Sequence, residues 1–306
     1  MKRTILNIAL LLLFAVQLTA CNSDVVEDKS PRDPGYKLIL PSQTIVFIHG
    51  MYLTNKVWSD WQSYFQELGY STHSPAWPLH ELTVQQLNDL HPDPQLGELQ
   101  LAEVLDYYKQ YLAGFDEPPI VIGHSMGGLI TQLLLAEAEN NTDFSIAAGI
   151  AINSAPPFGV ISGKPNFLKA NWPHLNPLLD ISQPTQLTFR QFQFGFVNSM
   201  PLEAQQTAFY EYVVPESKRI GRVSLTSGAR VKTSLKRAPL LLIAGGKDNT
   251  IPASLNYTNF KKYRNTPAIT DYRQFSARNH WTIKQPGWQA VADYVTQWIE
   301  ENRSDL

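Results

Sequence analysis

The sequence predicts an α/β fold, in which a mostly parallel β-sheet is flanked by helices. Short, continuously apolar segments alternate along the chain with longer segments whose apolar residues recur at helical spacing. Continuous apolar runs are typical of strands buried on both faces, and their alternation with amphipathic helices is typical of parallel sheets. With 306 residues, 43% of them hydrophobic, the chain can bury a sizeable core.

The elements of this sheet can be assigned in order along the chain. The first strand, 44–48, precedes a helix whose residues Trp58, Trp61 and Phe65 share one face, and Gly69 ends that helix. Further helices are expected where apolar residues recur every three or four positions, around 101–112, 129–134 and 291–299. Four further strands are expected, at 119–122, 146–152, 240–244 and 269–275.

The alternation is interrupted at residues 158–237, where proline, phenylalanine, glutamine and asparagine are frequent. Four aromatic residues fall within eight positions there, a density more typical of helix packing than of ligand contact: Phe189, Phe192, Phe194 and Phe196. We therefore expect a mostly helical cap insertion at 158–237. It would separate a first core segment, 37–157, from a second, 238–306.

Composition and charge exclude several classes of function. The chain has 25 basic and 27 acidic side chains, and its formal net charge of −2 gives no electrostatic basis for nucleic-acid binding. Its single cysteine excludes an intramolecular disulfide and a thiolate metal cluster. The seven histidines are scattered and form no HExxH pattern, so we expect no metal site.

The N-terminal segment resembles the signal peptide of a bacterial lipoprotein. Two basic residues precede an apolar stretch at 5–18, and Leu18-Thr19-Ala20-Cys21 resembles the lipobox of that class. The resemblance implies that residues 1–20 are removed as a signal peptide and that Cys21 carries the lipid. A plain signal peptide or an uncleaved anchor is the alternative interpretation.

The residues after Cys21 bear on location and attachment. Asn22 stands where enteric lipoproteins of the inner membrane carry aspartate, so the resemblance implies the outer membrane of a bacterial envelope, facing the periplasm. Residues 21–36 are polar, charged and contain prolines, a composition that predicts a flexible tether. The expected membrane contact is therefore the lipid on Cys21.

A Gly-His-Ser-Met-Gly segment at 123–127 matches the pattern GxSxG. It directly follows the strand at 119–122 and precedes a predicted helix, which is the arrangement of a nucleophile elbow. The small residues at both ends let the chain turn sharply and expose the hydroxyl between them. We therefore predict that Ser125 is a catalytic nucleophile.

A serine hydroxyl is a weak nucleophile unless a base and an orienting acid activate it. In enzymes whose serine lies on a nucleophile elbow between a strand and a helix, the acid follows the serine in sequence and the histidine follows the acid. The strand at 240–244 leads into a loop with Asp248, and the strand at 269–275 leads into a loop with His280. We predict that Asp248 is the acid and His280 the base.

The alternatives to these two residues are few. His174 is the only other histidine after Ser125, and it lies in the predicted cap. Asp271 is an alternative acid, but it falls within a predicted strand and not after one. Asp248 is therefore the preferred acid, with Asp271 kept as the second choice.

An oxyanion hole requires two backbone N–H groups that point at the developing negative charge. Met126 follows the nucleophile directly and is expected to supply one of them. Met51, in the loop after the first strand, is expected to supply the other, because Gly50 permits close backbone approach there. His49 is expected to pack beneath the site without reacting.

These motifs resemble those of α/β-hydrolases, in the branch of esterases, lipases and lysophospholipase-like enzymes, over about residues 37–302. The His-Gly-Met-Tyr-Leu opening at 49–53 and the phenylalanine-rich segment at 186–196 also resemble bacterial members. The resemblance implies the α/β-hydrolase fold, with nucleophile Ser125, acid Asp248 and base His280, and no metal or organic cofactor.

The leading hypothesis is a serine hydrolase that cleaves small or medium carboxylic esters through an acyl-enzyme intermediate. Its expected partner is therefore a small-molecule ester, and no oligomeric state is predicted. One alternative is a cofactor-free perhydrolase or C–C bond hydrolase that uses the same three residues. Another is a lipoprotein that kept the fold and binds a ligand without catalysis.

Overall fold

The structure is a computed structural model that describes residues 25–30, 39, 41–263 and 268–304. The predicted signal peptide, 1–20, and the predicted lipidation at Cys21 lie outside the described residues. Within those residues, no helix has both the length and the hydrophobicity needed to cross a membrane.

In the described part of the chain, seven strands form one sheet. The spatial order is β1-β7-β6-β5-β4-β2-β3, and every neighbouring pair is parallel except β1 and β7. Numbered along the chain, the strands are β1 Val25–Lys29, β2 Thr44–Ile48, β3 Ser71–His73, β4 Ile120–His124, β5 Ala148–Ile152, β6 Leu240–Gly245 and β7 Thr270–Phe275.

Helices follow most of the strands and pack against the sheet. All residues of β4, β5 and β6 are buried, and since successive side chains point to opposite faces, both faces of the sheet centre are covered. The α-helices are α1 Ser59–Glu67, α2 Val84–Asp89, α3 Pro94–Glu98, α4 Leu101–Leu112, α5 Met126–Ala138, α6 Pro165–Leu175, α7 Phe189–Gly195, α8 Leu202–Tyr212, α9 Lys218–Arg222, α10 Ala253–Lys261 and α11 Gln289–Asn302.

The predicted α/β class is confirmed by this architecture. The five predicted strands correspond to β2, β4, β5, β6 and β7, and the predicted helices correspond to α1, α4, α5 and α11. Gly69, expected to end the first helix, lies two residues after α1 with φ of +91°. The short strand β3 was not predicted, because its three residues are polar and carry no apolar run.

The flexible tether predicted at 21–36 is wrong for Val25–Lys29, which forms β1. This strand pairs antiparallel with β7, with Val25 opposite Phe275 and Lys29 opposite Asp271. The Tyr257 hydroxyl also donates to the carboxylate of Asp28 at 3.1 Å. An edge strand with charged residues on its solvated side has the composition of a linker, so composition alone could not separate the two.

Four helices, α6 to α9, lie between β5 and β6, inside the stretch where a helical cap was predicted. Two of the clustered phenylalanines point inwards: Phe192 is fully buried and packs edge-on against Trp281. Phe196 packs edge-on against His280, with ring centroids 4.7 Å apart. This segment therefore contacts the loop that follows β7.

Candidate active site

Ser125 lies at a sharp turn between β4 and α5. Its backbone has φ of 57° and ψ of −119°, a conformation that side-chain-bearing residues rarely adopt and that is often found at functional sites. A Cβ atom at Gly127 would clash with the backbone carbonyl of Ile48, so only glycine fits there. The local backbone is therefore that of a nucleophile elbow.

Backbone hydrogen bonds fix this turn to the neighbouring strand. The Ser125 N–H donates to the carbonyl of Ile152 at 2.9 Å, and the Ser125 carbonyl accepts from Ala155 at 2.8 Å and from Gly128 at 3.0 Å. These bonds hold the Ser125 hydroxyl in place at the carboxyl edge of the sheet.

The structure brings Ser125, His280 and Asp248 into one hydrogen-bonded row. The Oγ atom of Ser125 lies 3.0 Å from Nε2 of His280, and Nδ1 of His280 lies 2.7 Å from Oδ2 of Asp248. Each residue follows a different strand, β4, β6 or β7, and the carboxyl ends of these parallel strands share one edge. His280 is fully buried, and Ser125 is 7% exposed towards the cavity that it lines.

The Asp248 carboxylate is held by its own loop. Its Oδ1 atom accepts from the backbone N–H groups of Thr250 at 2.8 Å and Ile251 at 2.7 Å, which leaves Oδ2 for His280. Burial raises the pKa of Asp248, and the contact with His280 and the two N–H groups oppose that rise. The arrangement fixes which nitrogen of His280 carries a proton: Nδ1 donates and Nε2 is free to accept from Ser125.

Asp271, the alternative acid, is placed elsewhere. Its Oδ2 atom accepts from the indole N–H of Trp298 at 2.7 Å, and its Oδ1 atom accepts from the backbone N–H of Ser30 at 3.2 Å. These contacts connect β7 to α11 and to the residue after β1. The geometry therefore favours Asp248 over Asp271 as the partner of His280.

Met51 and Met126, the residues predicted to form the oxyanion hole, line the same cavity as Ser125. Met126 is the first residue of α5, so its N–H has no acceptor within the helix. A Cβ atom at Gly50 would lie 2.8 Å from the Cβ atom of Ser125, so the loop after β2 runs very close to the elbow. Both predicted donors thus belong to segments that flank the serine.

Two buried histidines support these loops without being part of the row. His49 stacks on Trp77, and its Nε2 accepts from the Trp77 N–H at 3.1 Å, so Nδ1 carries the proton and donates to the Gly50 carbonyl. His124 donates from Nε2 to the carbonyl of His280 at 2.8 Å. Burial holds the pKa of both side chains well below the ordinary histidine value, which keeps them neutral.

Asn153, directly after β5, is a structural residue of the site that the sequence reasoning missed. Its Nδ2 donates to the carbonyl of Asn279 at 3.0 Å and to the hydroxyl of Thr282 at 2.9 Å, and its Oδ1 accepts from Gly245 at 2.8 Å. It therefore connects the ends of β5 and β6 to the His280 loop. Its place at a strand end, the criterion used for Asp248, could have revealed it.

Glu216 is a second missed residue, and it connects the segment between β5 and β6 to the loop after β2. It is fully buried, and its Oε2 accepts from the Tyr52 N–H at 3.4 Å and lies 3.4 Å from Nε2 of His80. Burial alone would lower the pKa of His80, but the carboxylate of Glu216 raises it above its ordinary value. The buried pair fixes the residue that follows Met51.

A cavity of about 290 Å³ lies beside Ser125, at the lower end of the usual range for small-molecule sites. Its walls are mainly apolar and come from the elbow, the loop after β2, and the segment between β5 and β6. Four apolar residues on its wall are also partly open to solvent: Ile161, Leu168, Trp172 and Leu225. The site thus suits a small, largely apolar molecule.

No group of three or more histidine, cysteine, aspartate or glutamate side chains is arranged to hold a metal ion within the described residues. The neutral His124 packs against His280, with ring centroids 4.8 Å apart.

Comparison with known proteins places this chain in a family. A family model described as "Alpha/beta hydrolase family" matches residues 45–292, which include all three members of the row. The chain belongs to the alpha/beta hydrolase family. Accordingly, the sheet with its flanking helices is an α/β-hydrolase fold, as the sequence predicted. No curated protein matches the chain.

Solved structures of α/β-hydrolases resemble the chain over most of its length. Polyneuridine aldehyde esterase is 14% identical, with a TM-score of 0.60, covering 84% of this chain and 99% of that one. A pyrethroid hydrolase from Sphingobium faniae JZ-2 is 17% identical, with a TM-score of 0.61 and coverage of 85% and 98%. A methylesterase from Arabidopsis is 14% identical, with a TM-score of 0.59 and coverage of 84% and 98%. At sequence identities this low, the structural similarity shows a shared fold and nothing further.

Proposed function

We propose that this α/β-hydrolase cleaves carboxylic esters of small, largely apolar molecules. The observation that carries the proposal is the hydrogen-bonded row of Ser125, His280 and Asp248, with the serine on a nucleophile elbow beside an apolar cavity. Polyneuridine aldehyde esterase, the methylesterase and the pyrethroid hydrolase among its structural neighbours support the same class of reaction.

In the proposed first step, His280 Nε2 takes the proton of the Ser125 hydroxyl while Oγ attacks the ester carbonyl carbon. The carbonyl oxygen becomes negatively charged and accepts from the N–H groups of Met51 and Met126. The carbonyl then re-forms, the C–O bond to the alcohol breaks, and His280 gives its proton to the departing alcohol.

The second step releases the acid. A water molecule gives a proton to His280 Nε2 and its oxygen attacks the acyl carbon. The bond to Ser125 Oγ then breaks, and the proton on His280 returns to that oxygen. In both steps the Asp248 carboxylate orients His280 and stabilises its positively charged form.

Labelling with a fluorophosphonate probe tests the nucleophile. The wild-type protein is expected to form a covalent adduct at Ser125, identified by peptide mass spectrometry, and Ser125→Ala is expected to form none. Ser162→Ala is a matched control, since Ser162 lines the same cavity and lies outside the row. A folded wild-type protein that fails to react would contradict the proposal and favour the non-catalytic binding alternative.

A substrate panel separates ester hydrolysis from the other reactions that the same three residues could support. It would contain p-nitrophenyl esters of increasing acyl length, an amide, a lactone, a β-diketone and a carboxylic acid with hydrogen peroxide. Ester turnover that dominates the panel supports the proposal. If C–C bond cleavage or peracid formation dominates instead, ester hydrolysis is not the main activity and the proposal is refuted.

We also propose that the protein is held on the bacterial envelope, in the outer membrane facing the periplasm, by a lipid on Cys21. The lipobox-like segment that ends at Cys21 supports this attachment. In cells grown with an alkyne fatty acid, the wild-type protein is expected to take up label and to sediment with membranes. Cys21→Ala is expected to lose both properties, and label retained by that variant would refute the attachment.

A further inference from the structure

One wall of the cavity beside Ser125 carries polar atoms that the proposed chemistry does not use. His174 and Asn171 lie three residues apart on α6, so their side chains share one face of that helix. Both residues line the cavity, and both are more than nine-tenths buried.

Tyr52 determines which nitrogen of His174 carries the proton. The Tyr52 hydroxyl lies 3.0 Å from Nδ1 of His174. Burial and the nearby Arg222 lower the pKa of His174 to about 3, and burial raises the pKa of Tyr52 well above its usual value. Both groups are therefore neutral near pH 7. The hydroxyl then finds its acceptor at Nδ1, and the imidazole proton resides on Nε2.

The orientation of the His174 ring is fixed by its neighbours. Its face packs on Gly221, where an added Cβ would clash with the ring, and Arg222 donates to the His174 carbonyl at 2.8 Å. With Nδ1 engaged by Tyr52, the Nε2–H group has no acceptor among the described residues, and the ring borders the cavity. The wall therefore presents one unused hydrogen-bond donor.

Asn171, on the same face of α6 as His174, presents an acceptor to the cavity. Its Nδ2 donates to the carbonyl of Phe167 at 2.9 Å and to the carbonyl of Thr250 at 2.9 Å, so both amide protons are used. These bonds fix the orientation of the amide and leave Oδ1 with no donor among the described residues.

We propose that this wall is a subsite for a hydroxyl group of the substrate, which accepts from Nε2 of His174 and donates to Oδ1 of Asn171. A hydroxyl group can both accept and donate, so it matches the one donor and one acceptor of this wall. A carboxylate would need a cationic side chain nearby, and the described residues that line the cavity include no lysine or arginine. The inference rests on the ester hydrolysis proposed at Ser125. It narrows the substrate class to apolar esters that carry one hydroxyl.

The test uses pairs of esters in which a hydroxyl replaces a methyl group of the same size. On the acyl side the pairs are p-nitrophenyl 3-hydroxybutanoate with 3-methylbutanoate, and 6-hydroxyhexanoate with heptanoate. On the alcohol side the pair is 4-hydroxybutyl acetate with pentyl acetate. The measured quantity is the ratio of kcat/KM within each pair, because ratios compared between variants cancel intrinsic ester reactivity.

In wild type, at least one pair is expected to favour the hydroxyl ester by about tenfold in kcat/KM. His174→Phe keeps a planar ring and removes the donor, so it is expected to abolish that preference. In Tyr52→Phe, Nδ1 of His174 loses its hydrogen bond, so the imidazole proton is no longer confined to Nε2. This variant is expected to lower the preference for the hydroxyl ester, and it serves as a second test if His174→Phe does not fold. Leu175→Met is the control, because it changes an apolar side chain of the same cavity and no hydrogen-bonding group. It is expected to leave the ratio within each ester pair unchanged, even if the absolute rates change.

The outcomes distinguish this inference from the proposed function. If no pair favours the hydroxyl ester, or if His174→Phe keeps the preference, the subsite is refuted while ester hydrolysis stands. If wild type cleaves none of the esters and is not labelled at Ser125, the proposed function itself fails.

Discussion

Replacing His280 with alanine is expected to lower kcat for a p-nitrophenyl ester by about six orders of magnitude, with little change in KM. The imidazole is the only base within reach of the Ser125 hydroxyl in the described structure, at 3.0 Å, so its loss removes proton transfer in both steps. Substrate binding is expected to depend mainly on the apolar walls of the cavity and therefore to be affected less. Steady-state kinetics on the purified variant measure both constants.

His73→Gln is the matched control for this experiment. His73 lies in β3, at the edge of the sheet, and contacts the hydroxyls of Ser71 and Tyr111. This variant is expected to keep wild-type kinetics. A His280→Ala protein that is folded and retains more than about a hundredth of the wild-type kcat would contradict the role assigned to His280.

Asp248→Asn is expected to lower kcat by about four orders of magnitude. The backbone N–H groups of Thr250 and Ile251 both donate to Oδ1, so the asparagine must present its oxygen to them and its NH₂ group to His280. Nδ1 of His280 would then act as an acceptor, and its proton would move to Nε2, which could no longer accept from Ser125. The variant should stay folded, because asparagine is isosteric with aspartate.

Asp271→Asn is the control for Asp248→Asn, because it also removes a buried carboxylate but at a position away from His280. Both oxygens of Asp271 accept from donors, Trp298 and Ser30, so the substitution leaves one donor facing an NH₂ group. We expect it to cost about 1–3 kcal/mol of unfolding free energy, measured in urea, and to leave kcat unchanged. A kcat reduced by four orders of magnitude in Asp271→Asn, with Asp248→Asn near wild type, would reverse the assignment.

The residues of the row could be predicted from sequence because each follows a segment with a strand-like pattern. A parallel sheet brings the carboxyl ends of its strands to one edge, so the order of apolar runs already places Ser125, Asp248 and His280 together. The search for partners of Ser125 is also narrow, since a hydroxyl nucleophile needs a base and an orienting acid.

The residues that support the row could not be predicted in the same way. Glu216 contacts Tyr52 and His80, which lie more than a hundred positions away in the sequence, and no local sequence pattern predicts such contacts. The sequence places His174 in the predicted cap and shows nothing of its tautomer, which depends on the contact with Tyr52. β1 forms through its pairing with β7, and its own composition, which is that of a linker, does not indicate a strand.

The direction of β1 limits the distance between the proposed lipid and one edge of the sheet. Because β1 runs antiparallel to β7, Val25 lies opposite Phe275, at the sheet edge where the loops that carry Asp248 and His280 begin. Four residue steps separate Val25 from Cys21, a reach of at most about 14 Å. A lipid on Cys21 would therefore keep the β1–β7 end of this sheet edge within about 14 Å of the bilayer surface, because so short a segment cannot reach further.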